Sequence, residues 1–395
     1  LTAVADTAVT GIEGIDITGS GDNTLIVDYL EVLNLSDTSN MLEVTGNTGD
    51  SVTLGDGWKW QGTFHHGHHL YTQGAASVVV SDTVVTDYTP AVVLLSELDG
   101  SDGFVLGGIG ANDFSGFSVS SAGDVNGDGY ADMLIGAYGA DPGADSSAGE
   151  TYVVFGKSES FGFSVDLGTL DGSDGFVLSG IDASDRSGYS VSEAGDVNGD
   201  GYGDILIGAY GGDAGGSSSG EAYVVFGKSG SFSASVDLDS LDGSDGFMLS
   251  GIDVNDFSGF SVSTAGDVNG DGYADLLIAA PFADPSGSMS GETYVVFGKS
   301  ESFGASVDLG TLDGSDGFML SGIDAADYSG YSVSEAGDVN GDGYSDILIG
   351  AFMADPSGSL SGETYVVFGK SESFGASVDL DSLDGSDGFM LSGID

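Results

Sequence analysis

The chain has 395 residues, with six Lys and Arg against 63 Asp and Glu, for a formal net charge of −57. Phosphate-bearing partners are held by clustered cations, so this balance makes nucleic acid and anionic membrane poor partners, and it calls for divalent cations or a salty medium to damp the self-repulsion. No cysteine is present, which excludes disulfides and thiolate metal sites, and the 40% of apolar residues interleaved with the acid exclude a disordered polyanion.

The start, LTAVADTAVTGIEGID, lacks the basic-then-apolar order of a secretory leader. No apolar run reaches the ~18 residues that span a bilayer. The chain opens without Met and stops at SGID, part-way through a repeat, so it reads as a fragment of a longer protein. Residues 1–90 hold short apolar segments, TLIVDYLEVLNLS, MLEVTG, DSVTLGDGWKW and ASVVVSDTVV, which predict a first β-domain ending near Thr89-Pro90. All four histidines lie in FHHGHH (His65, His66, His68, His69). The plain reading is a hairpin with exposed imidazoles. The alternative is a transition-metal site, since His is the commonest ligand. Trp58-Lys59-Trp60 is either a pair of core aromatics or a sugar-stacking patch.

Residues 91–395 repeat. DVNGDGYAD begins at Asp124, DVNGDGYGD at Asp196, DVNGDGYAD at Asp267 and DVNGDGYSD at Asp338, at spacings of 72, 71 and 71 residues. Each unit carries four apolar segments, in the third unit FSVSTAG, ADLLIAAPF, GETYVVFG and GFMLSGI. The second is an almost unbroken apolar run, as in a strand covered on both faces, and the others are rich in β-branched and aromatic residues. Four strands per unit in tandem predict the blades of a β-propeller, so the fold class is all-β. A lone fourth-type strand at residues 103–109 precedes the first full unit, which allows the blades to be offset from the units by one strand.

The nonapeptide has the grammar of a hard-cation loop. Asp124, Asn126 and Asp128 stand at positions 1, 3 and 5, a turn-forming Gly129 at 6, the Tyr130 carbonyl at 7 and Asp132 at 9. The same set recurs as Asp196, Asn198, Asp200, Tyr202, Asp204, as Asp267, Asn269, Asp271, Tyr273, Asp275, and as Asp338, Asn340, Asp342, Tyr344, Asp346. This mixture of carboxylate, amide and carbonyl oxygens suits Ca²⁺ better than Mg²⁺, which keeps its waters. An EF-hand needs a bidentate Glu at position 12. Here position 12 is Ile135, Ile207, Ile278 or Ile349, inside an apolar strand, so the helix-loop-helix reading fails in all four copies.

The loop, with a preceding FSGFSV or YSGYSV and a following LIGAY, LIAAPF or LIGAF, resembles the FG-GAP repeats of integrin α-chain β-propellers and their bacterial relatives. The Phe-Gly element is approximate, at Phe114-Ser115-Gly116 and Tyr328-Ser329-Gly330, and the Gly-Ala-Pro element is closest at Ala279-Ala280-Pro281. The resemblance implies one Ca²⁺ per loop, four in this chain, each between the first two strands of a blade. It also implies rings of seven blades, of which four are visible. The N-terminal stretch looks like a β-domain of giant, Ca²⁺-rich bacterial surface and type I-secreted proteins, which implies an extracellular location.

Other repeated acids are weaker candidates. The LDGSDGF turn places Asp171/Asp174, Asp242/Asp245, Asp313/Asp316 and Asp384/Asp387 three apart, as a polar turn or a second cation site. Glu150, Glu221, Glu292 and Glu363 open the third strands. Catalysis needs one asymmetric constellation, and near-identical repeats offer none, so no catalytic residue is assigned. No function attaches to Arg186. The sequence therefore predicts a non-enzymatic, Ca²⁺-stabilised extracellular bacterial protein, in adhesion or as a surface, filament or matrix component. Its expected partners are a cell-surface protein or glycan, or copies of itself. The alternatives are a carbohydrate-binding propeller module and a non-catalytic propeller attached to a secreted enzyme.

Overall fold

The computed structural model describes residues 12, 14–18, 21–27, 32, 40–63, 68–90, 95, 98–100, 103–143, 145–371 and 373–393. The chain divides into two compact units, Leu1–Leu98 and Asp99–Asp395. Both are built of strands. Among the described residues no helix is long and apolar enough to cross a membrane.

The first unit holds β1 (Gly14–Asp16), β2 (Thr24–Val27), β3 (Met41–Thr45), β4 (Ser51–Thr63), β5 (His69–Gln73), β6 (Ala76–Val80) and β7 (Val85–Pro90). They form one sheet in the order β1-β3-β6-β5-β4-β2, with β7 also on β4. The long β4 changes partner along its length, parallel to β2 and β7 over its first half and antiparallel to β5 over its second. Alternate residues of the strands, among them Leu42, Val44, Val52, Leu54, Val78 and Val80, make the core with Trp58 and Tyr71. Near Trp58 the strand is irregular. Gly57 has φ +91° and the β4–β7 register shifts between Leu54 and Trp58. The two tryptophans therefore part, Trp58 fully buried and Trp60 exposed. Only Trp60 is free to stack on a sugar.

The second unit begins with β8 (Val105–Gly107) and continues as four blades. The first contains β9 (Ser118–Gly123), β10 (Asp132–Ala137), β11 (Glu150–Val154), the short β12 (Ser164–Asp166) and β13 (Gly175–Ser179). The second repeats them as β14 (Ser190–Gly195), β15 (Asp204–Ala209), β16 (Glu221–Val225), β17 (Ser235–Asp237) and β18 (Gly246–Ser250). The third is β19 (Ser261–Gly266), β20 (Asp275–Ala280), β21 (Glu292–Val296), β22 (Ser306–Asp308) and β23 (Gly317–Ser321). The fourth is β24 (Ser332–Gly337), β25 (Asp346–Ala351), β26 (Glu363–Val367), β27 (Ser377–Asp379) and β28 (Gly388–Ser392).

In each blade the four longer strands pair antiparallel in chain order, all from one unit, with no offset. The apolar second strands β15 and β20 are buried at every residue, as their unbroken sequence requires. The first strands of successive blades pack on one another. Val191, Val262 and Val333 each donate an N–H to the hydroxyl of Ser118, Ser190 or Ser261 in the blade before. The core lies between blades. One cluster joins Leu206, Val224 and Phe247 to Ile278 and Tyr294 of the next blade.

The three-residue strands are a feature that the sequence reading missed. Three of them leave their own blade and add a parallel fifth strand to the outer edge of the blade before, with Met248, Leu249 and Ser250 opposite Ser306, Val307 and Asp308, whereas β12 of the first blade pairs with β8. The same register recurs for β13–β17 and β23–β27. The Asp that ends each strap accepts the N–H two residues on and turns the chain into a short 3₁₀ turn, whose first Leu is buried. Three residues before each strap, a Phe stacks on the outer strand, Phe232 on Phe176 at 4.4 Å and Phe303 on Phe247 at 4.2 Å. Each Leu or Phe so covered contributes about 2 kcal/mol.

Candidate metal centres

The four nonapeptides are the turns between the first and second strands of the blades, as strand-loop-strand units. In the first loop the side chains are turned onto the loop's own backbone. Asp124 accepts from the N–H groups of Asp128 (3.0 Å) and Gly129 (2.8 Å), Asn126 from Asp128 (2.8 Å), and Asp128 from Tyr130 (2.9 Å). Asp196, Asn198 and Asp200, Asp267, Asn269 and Asp271, and Asp338, Asn340 and Asp342 repeat the pattern. Each such bond uses one lone pair of an oxygen that has two, and so leaves acceptor capacity facing the loop. Gly129 at φ +89° makes the sharp turn.

The ninth residue differs from the others. Asp132, Asp204, Asp275 and Asp346 are buried, whereas Asp124 is only partly so and Asp128 is exposed. Asp204 accepts the Val197 N–H through Oδ2 and the Gly227 N–H through Oδ1, both at 2.9 Å, and so ties the loop to the end of the third strand. Asp132, Asp275 and Asp346 make the same two bonds. Burial, joined by the neighbouring loop carboxylates, pushes the carboxyl of Asp132 up to about 6, of Asp204 to about 7 and of Asp275 to about 8.

Among the described residues no Lys, Arg or His is paired with these carboxylates, and no three His, Asp or Glu side chains are already gathered in metal-binding geometry. The donor chemistry nevertheless fits a hard cation. Each loop brings three carboxylates, one amide oxygen and the position-7 carbonyl to one turn, and the buried one of the three, the ninth Asp, is paired with no Lys, Arg or His among the described residues.

Successive loops are interlocked. The Tyr at position 7 lies over the position-4 Gly of the loop before, and the next residue's N–H donates to that loop's first carbonyl, Gly203 to Asp124 and Ala274 to Asp196. Gly199 has φ +74°, and a Cβ there would stand 2.4 Å from the Tyr273 ring. Gly199→Ala is expected to lower stability by about 1–3 kcal/mol, from the left-handed conformation and the displaced ring together; urea unfolding measures it.

The loop residues share one turn between two strands, and the other candidates lie elsewhere. Asp171, Asp242, Asp313 and Asp384 accept from the Ser two residues on and close polar turns. His68 Nδ1 lies 3.8 Å from Glu43 Oε1 and His69 is in β5. His65 and His66 lie outside the described residues.

Two further features escaped the sequence reading. Away from the loops, where the second strand ends, rings make contact from blade to blade. They run through Phe114, Tyr138, Tyr189, Tyr210, Phe260, Phe282, Tyr328 and Phe352, with the Arg186 guanidinium 5.2 Å above Tyr210. The repeated Phe or Tyr at each Ser-Gly was the signal. The second feature is a buried acidic cluster. Glu221 accepts from the Tyr223 hydroxyl and the Ala214 N–H, near Asp185. Burial, with repulsion from Glu221, Asp182 and Asp213, raises Asp185 to about 7 from its ordinary 3.8. Burial likewise raises Asp256 to about 6.

A carboxyl whose folded pKa is raised binds its proton more tightly when folded. Its contribution is therefore most favourable at low pH and is lost as pH rises from about 4 to 7. The metal-free chain is expected to melt at higher temperature at pH 5 than at pH 8, and Asp185→Asn to flatten part of that slope; melting curves across this range check both.

The FG-GAP repeat model matches residues 115–154, 187–225, 258–296 and 329–367, in each case the first three strands of a blade with the loop between the first two. The chain carries four FG-GAP repeats. Integrin alpha-V of Gallus gallus is 27% identical over 247 residues, 61% of this chain and 20% of the relative. Integrin alpha-PS2 of Drosophila melanogaster is 27% identical over 263 residues, 65% of this chain and 17% of the relative. Phosphatidylinositol-glycan-specific phospholipase D of Bos taurus is 33% identical over 178 residues, 45% of this chain and 20% of the relative. The chain thus spans a fifth or less of the length of these relatives. Its tandem four-stranded FG-GAP blades are consistent with a β-propeller or part of one.

Proposed function

We propose that each FG-GAP loop binds one Ca²⁺ and that the chain is a Ca²⁺-stabilised, non-catalytic extracellular protein of a bacterial surface. Its role is adhesion or a structural part of a filament or matrix. The observation that carries the metal reading is the buried ninth Asp at the base of each loop, paired with no Lys, Arg or His among the described residues. The groups that would hold the ion are Asp124, Asn126, Asp128, the Tyr130 carbonyl and Asp132, and their equivalents in the other three loops. A bound divalent cation supplies the positive charge that this acidic fold lacks. The chain's own residues do the rest: the glycines turn the loop, and the ninth Asp fastens it to the third strand.

The integrin alpha relatives support adhesion, with a cell-surface protein, a glycan or further copies of the chain as partner. The phospholipase D relatives support the alternative of a non-catalytic module beside a secreted enzyme. The exposed rings Phe114, Phe117, Tyr331 and Phe352 favour, as a second reading, a carbohydrate-binding face.

Calorimetric titration of the chelator-stripped chain tests the metal reading. Four Ca²⁺ per chain are expected, and three for Asp200→Ala. A chain that takes up none would sink it.

A further inference from the structure

Arg186 is the chain's one arginine, and it stands where the repeat breaks its own pattern. The corresponding residues of the other blades are Phe114, Phe257 and Tyr328. All four have φ of 56–60°, so the backbone presents each side chain alike and only its chemistry differs. Phe114 stacks on Tyr138 with the ring centroids 5.1 Å apart. Arg186 takes the same place over Tyr210, 5.2 Å above the ring, and its Nη1 donates to the Tyr210 hydroxyl. A second position differs beside it. Ser218 stands where the third and fourth blades have Met289 and Leu360, with the same left-handed backbone at φ 52–58°. At the third blade the Tyr328 hydroxyl and the Met289 sulfur meet at 2.9 Å. At the second, Arg186 and the short Ser218 line a cavity of about 460 Å³. That is within the ~300–1,000 Å³ of small-molecule sites.

The wall of the cavity is a run of rings in contact, Tyr210, Phe257, Phe260 and Phe282, with centroids 5.1–5.8 Å apart. The Ser184 side of the cavity adds a second hydroxyl. Among the described residues no carboxylate lies within ion-pairing distance of Arg186, in a chain with 63 Asp and Glu. Its neighbour Asp185 is buried and accepts the Asp182 N–H at 2.9 Å. A guanidinium carries five donors in a planar fork, which suits a carboxylate held by two parallel bonds.

We propose that this cavity binds the terminal acidic sugar of a glycan, a pyranose that carries one carboxylate. The carboxylate pairs with the Arg186 guanidinium, the C–H face of the sugar packs on Phe260 and Phe282, and its hydroxyls meet those of Ser184 and Ser218. The charge of the chain sets the limit on what enters. A dense polyanion is repelled by a net charge of −57, whereas one carboxylate at the tip of a neutral chain meets the one guanidinium.

This inference deepens the second reading above, that the ring-bearing face binds carbohydrate, and rests on it. Calorimetric titration of the full chain in excess Ca²⁺ tests it with a neutral oligosaccharide capped by glucuronic, galacturonic or sialic acid, each beside its methyl ester. At least one acid form is expected to bind, and its ester to bind about tenfold more weakly or worse, since the ester loses the charge-assisted bonds. Arg186→Phe and Ser218→Met install residues that neighbouring blades already carry. Each should cost a similar factor in affinity with the melting temperature unchanged. An ester that binds as well as its acid, or folded variants that bind like the wild type, would overturn the proposal. So would a short acidic peptide that binds as tightly and depends equally on Arg186. Phe352→Ala, at an exposed ring of the same face, separates the two readings. Glycans lost in Phe352→Ala but kept in Arg186→Phe leave the carbohydrate reading standing and sink this one, whereas a chain that binds no glycan removes both.

Discussion

Stripping Ca²⁺ from the chain is expected to lower the melting temperature of the blade region by on the order of 20 °C. A ligand at a hundred times its dissociation constant stabilises the native state by about 2.7 kcal/mol per site. The loops are interlocked, through Tyr202 on Gly127, Tyr273 on Gly199 and Tyr344 on Gly270, so they act on one cooperative array. Four sites together are then worth about 11 kcal/mol, and for a unit of this size each kcal/mol moves the midpoint by about 2 °C. Asp124 and Asp128 also accept backbone N–H groups of their own loop, bonds that need no metal, so the fold is expected to survive at a lower midpoint. Thermal melts with and without a chelator, with Mg²⁺ as the control ion, measure the shift. An unchanged midpoint would remove the stabilising role.

Asp204→Ala is expected to destabilise the chain by about 3–5 kcal/mol even in chelator. The substitution leaves the buried N–H groups of Val197 and Gly227 without an acceptor, at about 1–3 kcal/mol each, and opens a small void. Asp200→Ala at the exposed loop tip makes the useful contrast. It removes a proposed ligand but only two solvent-facing hydrogen bonds, from the Tyr202 N–H and the Asn198 amide, so in chelator its effect should stay within about 1 kcal/mol. Chemical denaturation of both variants, each with and without Ca²⁺, separates the two roles. If Asp204→Ala and Asp200→Ala lose the same amount in chelator, the ninth Asp is not the anchor described.

The repeat, the four strands of each blade and the place of the loops were legible because each is a constraint at fixed spacing. Oxygens at positions 1, 3, 5 and 9 cannot drift, and Ile135 at position 12 gives away the strand that follows. The straps were not legible. Ser-Val-Asp is too short to show a period, and its partner, the Met-Leu-Ser of the preceding blade, lies more than fifty residues earlier in sequence. The ring contacts from Phe114 to Tyr138 were hidden for a similar reason, since only the closed hairpin brings the start of one strand beside the end of the next. Trp58 and Trp60 looked like one patch, and the glycine-driven irregularity that parts them has no signature that separates it from an ordinary turn glycine. The ninth Asp was read as a ligand alone. Its second task, holding the Gly227 N–H from the far end of the third strand, depends on a contact that spacing cannot show.

The straps also bear on how the array would yield to force. The straps β17, β22 and β27 lie in sequence between the third and fourth strands of their own blades, yet are hydrogen-bonded to the blade before. A blade pulled by its ends therefore cannot unravel past its third strand without tearing a strap from its neighbour. Tension reaching one blade is handed to the next before the first has opened, so stretched end to end the array should resist as a chain of clasped links rather than as separate beads.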